Sequence, residues 1–240
     1  MTSPPQPKQS DRSVAENTSF FRDQLDNYKS KVDTLDTYRN IRAAINAELN
    51  GIHHLLDVGN GGTFDYDVSL VHELAAVDLF LEDLPPGSFP PNAAPKNGSA
   101  LHLPFAEASF DGVIMAMLIH HLTGHSPSES WENTKRAVGE AFRVLKPGGK
   151  LIIMESCVPA WFYSFEKLVF PLAVKIIGRL TSHPATLQFP AKMIEELLGQ
   201  HSNKVEVFQV PSGRWVLQYG IQYPSALTPV AAYRFVALKT

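Results

Sequence analysis

Residues 55–63 read Leu55-Leu56-Asp57-Val58-Gly59-Asn60-Gly61-Gly62-Thr63. An apolar run ends in an acid and passes at once into a glycine-dense turn. A strand that stops this way points its next backbone N–H groups into open space, and glycine lets a ligand approach them because no Cβ intervenes. The dinucleotide fingerprint Gly-x-Gly-x-x-Gly fails here, because its last position, counted from Gly59, falls on Phe64. No P-loop lysine follows either. A second apolar run, Leu74-Ala75-Ala76-Val77, closes on Asp78, 21 positions after Asp57. A β-α-β unit that binds an adenosine ligand places its second acid at about this distance, where it accepts hydrogen bonds from ribose hydroxyls.

The whole chain sets bounds on this reading. Its 240 residues, 44 % hydrophobic, suit one α/β domain with an insertion or small cap. A net charge of −3 with scattered cations argues against electrostatic capture of nucleic acid. The one cysteine, Cys157, forms no internal disulfide, which fits a reducing, cytoplasmic setting. No stretch has the length and apolarity of a membrane span, and the start has no signal-peptide core. No His/Cys/Asp/Glu cluster has metal-ligand spacing, so no metal is expected.

Around the two acid-ended runs the pattern alternates between strand and helix. Residues 1–18 are expected as a disordered tail, and 19–50 as two helices. Strands are expected at 53–58, 74–78, 112–117 and 151–155, with a short helix at 65–73 and a Pro-rich loop at 84–98. An amphipathic helix over 130–145 stops at Lys146-Pro147-Gly148-Gly149. Residues 157–200 break the rhythm with an aromatic helical stretch from Trp161 to Phe170, its continuation to 180 and a short helix at 191–198. Period-two runs at 205–210 and 233–238 read as an antiparallel closing pair.

Five pieces occur in order. They are Asp57-Val58-Gly59-Asn60-Gly61, the strand-end Asp78, Leu103-Pro104-Phe105 with Ser109-Phe110-Asp111, Leu118-Ile119-His120-His121-Leu122, and Arg143-Val144-Leu145-Lys146-Pro147-Gly148-Gly149. Together they resemble the class I S-adenosylmethionine-dependent methyltransferases, in particular the small-molecule group that includes quinone-biosynthesis enzymes. The resemblance implies an α/β, Rossmann-like, seven-stranded, mostly parallel sheet with a reversed last strand. N-terminal helices and a helical cap inserted after the fifth strand complete it. It divides the single domain 19–240 into lid helices (19–50), a cofactor-binding core (51–156), a substrate cap (157–202) and closing strands (203–240).

The resemblance also implies roles. S-adenosylmethionine is the expected cofactor, and the reaction is methyl transfer to a small molecule, the methylated atom being O, N or C. Gly59, Asn60 and Gly61 would pass beneath the methionine part, with Asp57 orienting that loop. Asp78 and Leu79 would hold ribose and adenine, Ser99 and Ala100 the adenine edge, and Ala116 and Met117 the opposite side. Histidine suits proton removal near neutral pH. His121 is the first candidate base, with His120 and Glu155 as the others, and one histidine is expected to face the substrate. Tyr28 from the lid and Trp161, Phe162 and Phe165 from the cap are the expected substrate wall, suited to an apolar or ring-bearing molecule.

Thr63 stands where the family has a third glycine, and Ser99 where it often has an acid. Two alternatives stay open on these residues: a cofactor-binding protein that catalyses a rearrangement or cyclisation, and a non-catalytic regulatory partner.

Overall fold

The computed structural model describes residues 35–85, 87–180, 186–218 and 221–240. The apolar runs become two parallel neighbours, β1 (His54–Val58) and β2 (Glu73–Asp78). Helices and loops cover both faces of these strands, so they read as continuous apolar runs rather than as alternation. Chain order continues with β3 (Ala93–Asn97), β4 (Phe110–Ala116), β5 (Leu145–Cys157), β6 (Val205–Gln209), β7 (Trp215–Gln218), β8 (Ile221–Pro224) and β9 (Ala231–Leu238). Strands β7 and β8 form a separate hairpin; the other seven form one sheet in the order β3-β2-β1-β4-β5-β9-β6. Within that sheet β9 is the reversed strand, antiparallel to β5 on one side and to β6 on the other. The fold is therefore the Rossmann-like sheet with a reversed last strand. Strand order reverses between β1 and β4, which opens a crevice outside their carboxyl ends.

Four helices are described: α1 (Asp36–Asn46), α2 (Pro127–Val144), α3 (Ala160–Leu180) and α4 (Ala191–Gly199). Successive residues of the central strands feed opposite layers. Leu56, Met115 and Ile153 pack with Ala137 and Ala141 of α2 and Leu198 of α4. Leu55, Ile114 and Ile152 pack with Ile41 and Ile45 of α1. Helix α2 starts where Ser126 accepts a hydrogen bond from the Glu129 N–H and Pro127 takes the first helical position, where its missing N–H is harmless.

The family-like pieces hold one another. The Arg143 guanidinium donates to the Phe105 and Leu103 carbonyls at 2.8 and 3.0 Å and pairs with Glu140, which accepts from the Leu103 N–H. Lys146 reaches Asp111 at 2.6 Å, and Asp111 accepts from the His54 N–H at the start of β1.

The structure corrects several expectations. Residues 65–73 form only one 3-10 turn, Val68–Leu70. Asp67 accepts from both the N–H and hydroxyl of Ser69, and Asn92 donates to the Val68 and Val71 carbonyls. Such local bonds compete with a helix. The Pro-rich stretch 84–98 contains β3, an edge strand beside β2, where Pro95 is tolerated because one side of the strand needs no ladder partner. The strand after α2 begins at Leu145 rather than beyond the glycines. Its register against β4 shifts between Phe110 and Gly112, and Gly148 turns through a φ of 75°. The first expected lid helix and the expected tail lie outside the described residues. The β7–β8 hairpin was not foreseen.

Candidate active site

The cavity lies in the crevice at the carboxyl ends of the central strands. Gly59, at the end of β1, has a φ of +73° and donates its N–H to the Val77 carbonyl at 2.8 Å. A Cβ there would overlap the Leu118 side chain, so the turn needs glycine for both conformation and space. Asn60 bonds across the turn to the Thr63 carbonyl and to Asp57, and its own carbonyl oxygen accepts from the Gly62 N–H. Asp78, from β2, accepts from the Gly61 N–H at 2.9 Å and the Leu79 N–H at 2.6 Å. Its carboxylate thus pins the glycine turn to the neighbouring strand. Burial raises its pKa, and the two N–H donors oppose that shift.

The cavity wall contains Gly59, Asn60, Gly61, Asp78 and Leu79, and also Ser99, Ala100, Ala116 and Met117. Nine of the ten residues expected around the cofactor are thereby brought together. Asp57 is the exception. It is 3 % exposed and sits beneath the turn, bonded to Asn60 at 2.7 Å and the Tyr66 hydroxyl at 2.8 Å. Burial pushes its carboxyl up to about 7, against the lowering effect of those two donors. Ser99 accepts from the Leu101 N–H, which ties its hydroxyl to its own turn.

Strand β4 is followed by Met117, a non-glycine residue at φ 53°, whose N–H donates to the Met154 carbonyl at 2.7 Å. That left-handed step turns the chain into a 3-10 turn, Ile119–His121. Both histidines line the cavity, where only one was expected. Glu155 is not on the wall. It is 1 % exposed at the end of β5 and accepts from His120 Nδ1 at 2.5 Å and from the Ile119 and Ser156 N–H groups at 2.7 Å each. The carboxylate fixes the His120 ring with Nδ1 as the donor, which leaves Nε2 as the basic nitrogen. The buried carboxylate thus stands behind His120 rather than His121.

The far wall is not the expected one. Trp161 and Phe165 are 67 % and 55 % exposed on α3, and neither they nor Phe162 line the cavity. Aromatic spacing alone does not reveal which helix face is buried; Tyr163 and Phe170 of α3 turn inward instead, Tyr163 onto Phe189. Tyr28 lies outside the described residues. The far wall is built by Tyr38 and Ile41 of α1, Thr186 and Gln188 before α4, and Val216 and Val230 near the closing strands. Thr37 secures it by accepting from the Gly213 N–H at 2.7 Å and donating to the Trp215 carbonyl at 3.2 Å. Sequence reasoning missed this wall, because its pieces come from four separate segments. Among the described residues there is no metal-ligand cluster, and no helix is long and apolar enough to cross a membrane.

Comparison with known proteins adds to the geometry. Residues 56–153 match the family model described as a methyltransferase domain. The chain is 28 % identical over 152 residues to a demethylmenaquinone methyltransferase of Deinococcus radiodurans, covering 58 % of this chain and 59 % of that protein. It spans little more than half the length of the curated relatives of that name from Deinococcus radiodurans and Oceanobacillus iheyensis. Among solved structures it is similar to the Burkholderia thailandensis 1,6-didemethyltoxoflavin-N1-methyltransferase, bound there to its substrate and S-adenosylhomocysteine. The TM-score is 0.64 at 17 % identity, over 100 % of this chain and 93 % of the other. The N-methyltransferase NodS of Bradyrhizobium japonicum, with S-adenosylhomocysteine, gives a TM-score of 0.59 at 13 % identity over 95 % and 99 % of the two chains.

Proposed function

From the methyltransferase domain at residues 56–153, we propose that this chain is an enzyme that transfers a methyl group from S-adenosylmethionine to a small-molecule acceptor. One observation carries the reading. The crevice where strand order reverses gathers the glycine turn, Asp78, Ser99 and His120, with Glu155 behind it, around one cavity. The residues fit the cofactor. The left-handed Gly59 and Gly61 put backbone without Cβ atoms on the cavity wall, and a buried acid at the end of β2 offers acceptor capacity for ribose hydroxyls.

When bound, S-adenosylmethionine would supply an activated methyl group on its sulfonium, open to in-line attack at the methyl carbon with the thioether as the leaving group. The chain then has three tasks. Gly59, Asn60 and Gly61 hold the methionine end, while Asp78, Leu79, Ser99 and Ala100 hold the nucleoside. The far wall aligns the acceptor and excludes water, and such alignment can supply much of the rate. His120 Nε2 takes the proton from an acceptor O–H, N–H or acidic C–H, with Glu155 as its positioning residue. Asp57 acts through the turn and does not itself contact the ligand. Support for a small acceptor comes from the apolar wall of Tyr38, Ile41 and Val216. The two relatives methylate, by their names, a quinone precursor and a toxoflavin precursor.

Calorimetry with S-adenosylmethionine and S-adenosylhomocysteine is the first test. Binding of both is expected, and the absence of heat with either refutes the function. Labelled methyl transfer to a pool of ring-bearing metabolites then separates catalysis from cofactor binding alone.

A further inference from the structure

The glycine turn is built without two of its expected supports. Thr63 stands where the family has a third glycine, and residues 65–73 form a single 3-10 turn rather than a helix. The left-handed steps fall on Gly59, Gly61 and Gly62, with φ of 73°, 63° and 84°, so Thr63 needs no glycine conformation. The Asn60 side chain closes the turn. Its Nδ2 donates to the Thr63 carbonyl at 2.5 Å and to Asp57 Oδ2 at 2.7 Å, and its Oδ1 accepts from the Gly62 N–H at 3.1 Å. The Thr63 N–H returns to the Asn60 carbonyl at 3.2 Å.

Asp57, which anchors that amide, is itself held by Tyr66, nine residues on. The Tyr66 hydroxyl donates to the same Oδ2 at 2.8 Å. Tyr66 is 5 % exposed, shares the apolar layer of Ile41, Leu55 and Val71, and is absent from the cavity wall. Burial first, and then the Asp57 charge, push its phenol far above its ordinary range, so it stays a donor at every pH of interest. Two donors on one oxygen favour the carboxylate over the neutral acid. Burial opposes them, as do Asp65 and Asp78, the charged groups that act on Asp57.

We propose that Tyr66 is a positioning residue for the cofactor: through Asp57 and the Asn60 amide, it sets the shape of the turn on which the methionine end lies. The proposal rests on the methyltransferase reading and names a residue off the cavity that governs its cofactor end. Ionised Asp57 grips the Asn60 amide more strongly than the neutral acid does, and Asn60 in turn holds Gly62 and Thr63. Cofactor affinity therefore rises as Asp57 ionises, and the Tyr66 hydroxyl decides the pH at which it does.

The test measures S-adenosylhomocysteine binding to the full chain by calorimetry from about pH 5.5 to about pH 8.5. Affinity of the parent is expected to rise across this range. Tyr66→Phe keeps the ring and removes the donor. It should bind about tenfold more weakly at neutral pH, and its rise should move to higher pH. Asp57→Asn, a neutral acceptor of nearly the same shape, should abolish the rise, and adding Tyr66→Phe to it should leave the profile flat. Should Tyr66→Phe fail to fold, 3-fluorotyrosine placed at position 66 alone makes the hydroxyl a stronger donor, and the rise should move to lower pH. A flat parent profile, a Tyr66→Phe chain that binds like the parent, or a rise that 3-fluorotyrosine leaves unmoved overturns the proposal. Weaker binding by Tyr66→Phe with the parent's pH profile also overturns it, because lost packing alone would do that. Failure of the parent to bind S-adenosylhomocysteine overturns the function beneath it, and the proposal with it.

Discussion

Replacing Asp57 with asparagine isolates what the buried carboxyl beneath the glycine turn does to the fold. Its pKa is raised from its ordinary 3.8 to about 7, first by burial. Between those values the native state keeps a proton that the unfolded chain has released. Stability therefore falls as pH rises across the window, and above it the contribution is fully lost. At about 1.4 kcal/mol per pH unit, the interval corresponds to about 4 kcal/mol. The carboxamide introduced by Asp57→Asn would still accept from Asn60 and Tyr66, and it stays neutral at every pH. The stability of Asp57→Asn relative to the parent should thus improve by about 4 kcal/mol between pH 4 and pH 8. Asp78 is raised in the same direction, while Asp111 and Glu140 are lowered by Lys146 and Arg143. All three are present in both chains, so the difference reports Asp57 together with its coupling to the nearby Asp65 and Asp78. Urea unfolding followed by circular dichroism at four pH values measures it. A difference that stays constant from pH 4 to pH 8 refutes a titrating buried acid at this position.

Three other outcomes follow from the site. Gly59→Ala forces a left-handed alanine against Leu118 and should destabilise the fold by about 2 kcal/mol or more while abolishing S-adenosylhomocysteine binding; thermal melts and calorimetry check both. His120→Asn should lower the transfer rate by about 10²–10⁴-fold with cofactor affinity kept, and Glu155→Gln should cost less because the imidazole remains; single-turnover methyl transfer separates the two. Trp161→Ser with Phe165→Ser should leave transfer and cofactor affinity within about twofold of the parent, since both side chains are exposed and off the cavity wall.

What could be read in advance depended on local pattern. Asp57 and Asp78 each end an apolar run, and runs buried on both faces can be recognised without neighbours. Leu103, Phe105, Asp111, Arg143 and Lys146 are recognisable in order because they bond to one another, as the Arg143 contacts show. Errors arose where distant partners decide. Asn92 and Ser69 hold 65–73 away from a helix, and β2 recruits the Pro95 segment as an edge strand. Sequence singles out His120, His121 and Glu155 separately, but not the contact between His120 and Glu155, which lie 35 residues apart. Thr186 and Gln188 carry no local signal, because their direction is set by bonds to His120 and Val158.

The two ends of the cavity have different origins along the chain. Gly59, Asp78, Ala100 and Met117 fall within 56–153, the stretch that matches the methyltransferase-domain model. Tyr38, Thr186, Gln188, Val216 and Val230 fall outside it. On the proposed function, the wall that meets the acceptor therefore lies on segments separate from those at the matched end. A chimera that exchanges the 186–189 and 212–216 segments with those of a relative would trade acceptors on an unchanged core. By the same logic, a relative's substrate is a poor guide to this one, however well the core matches.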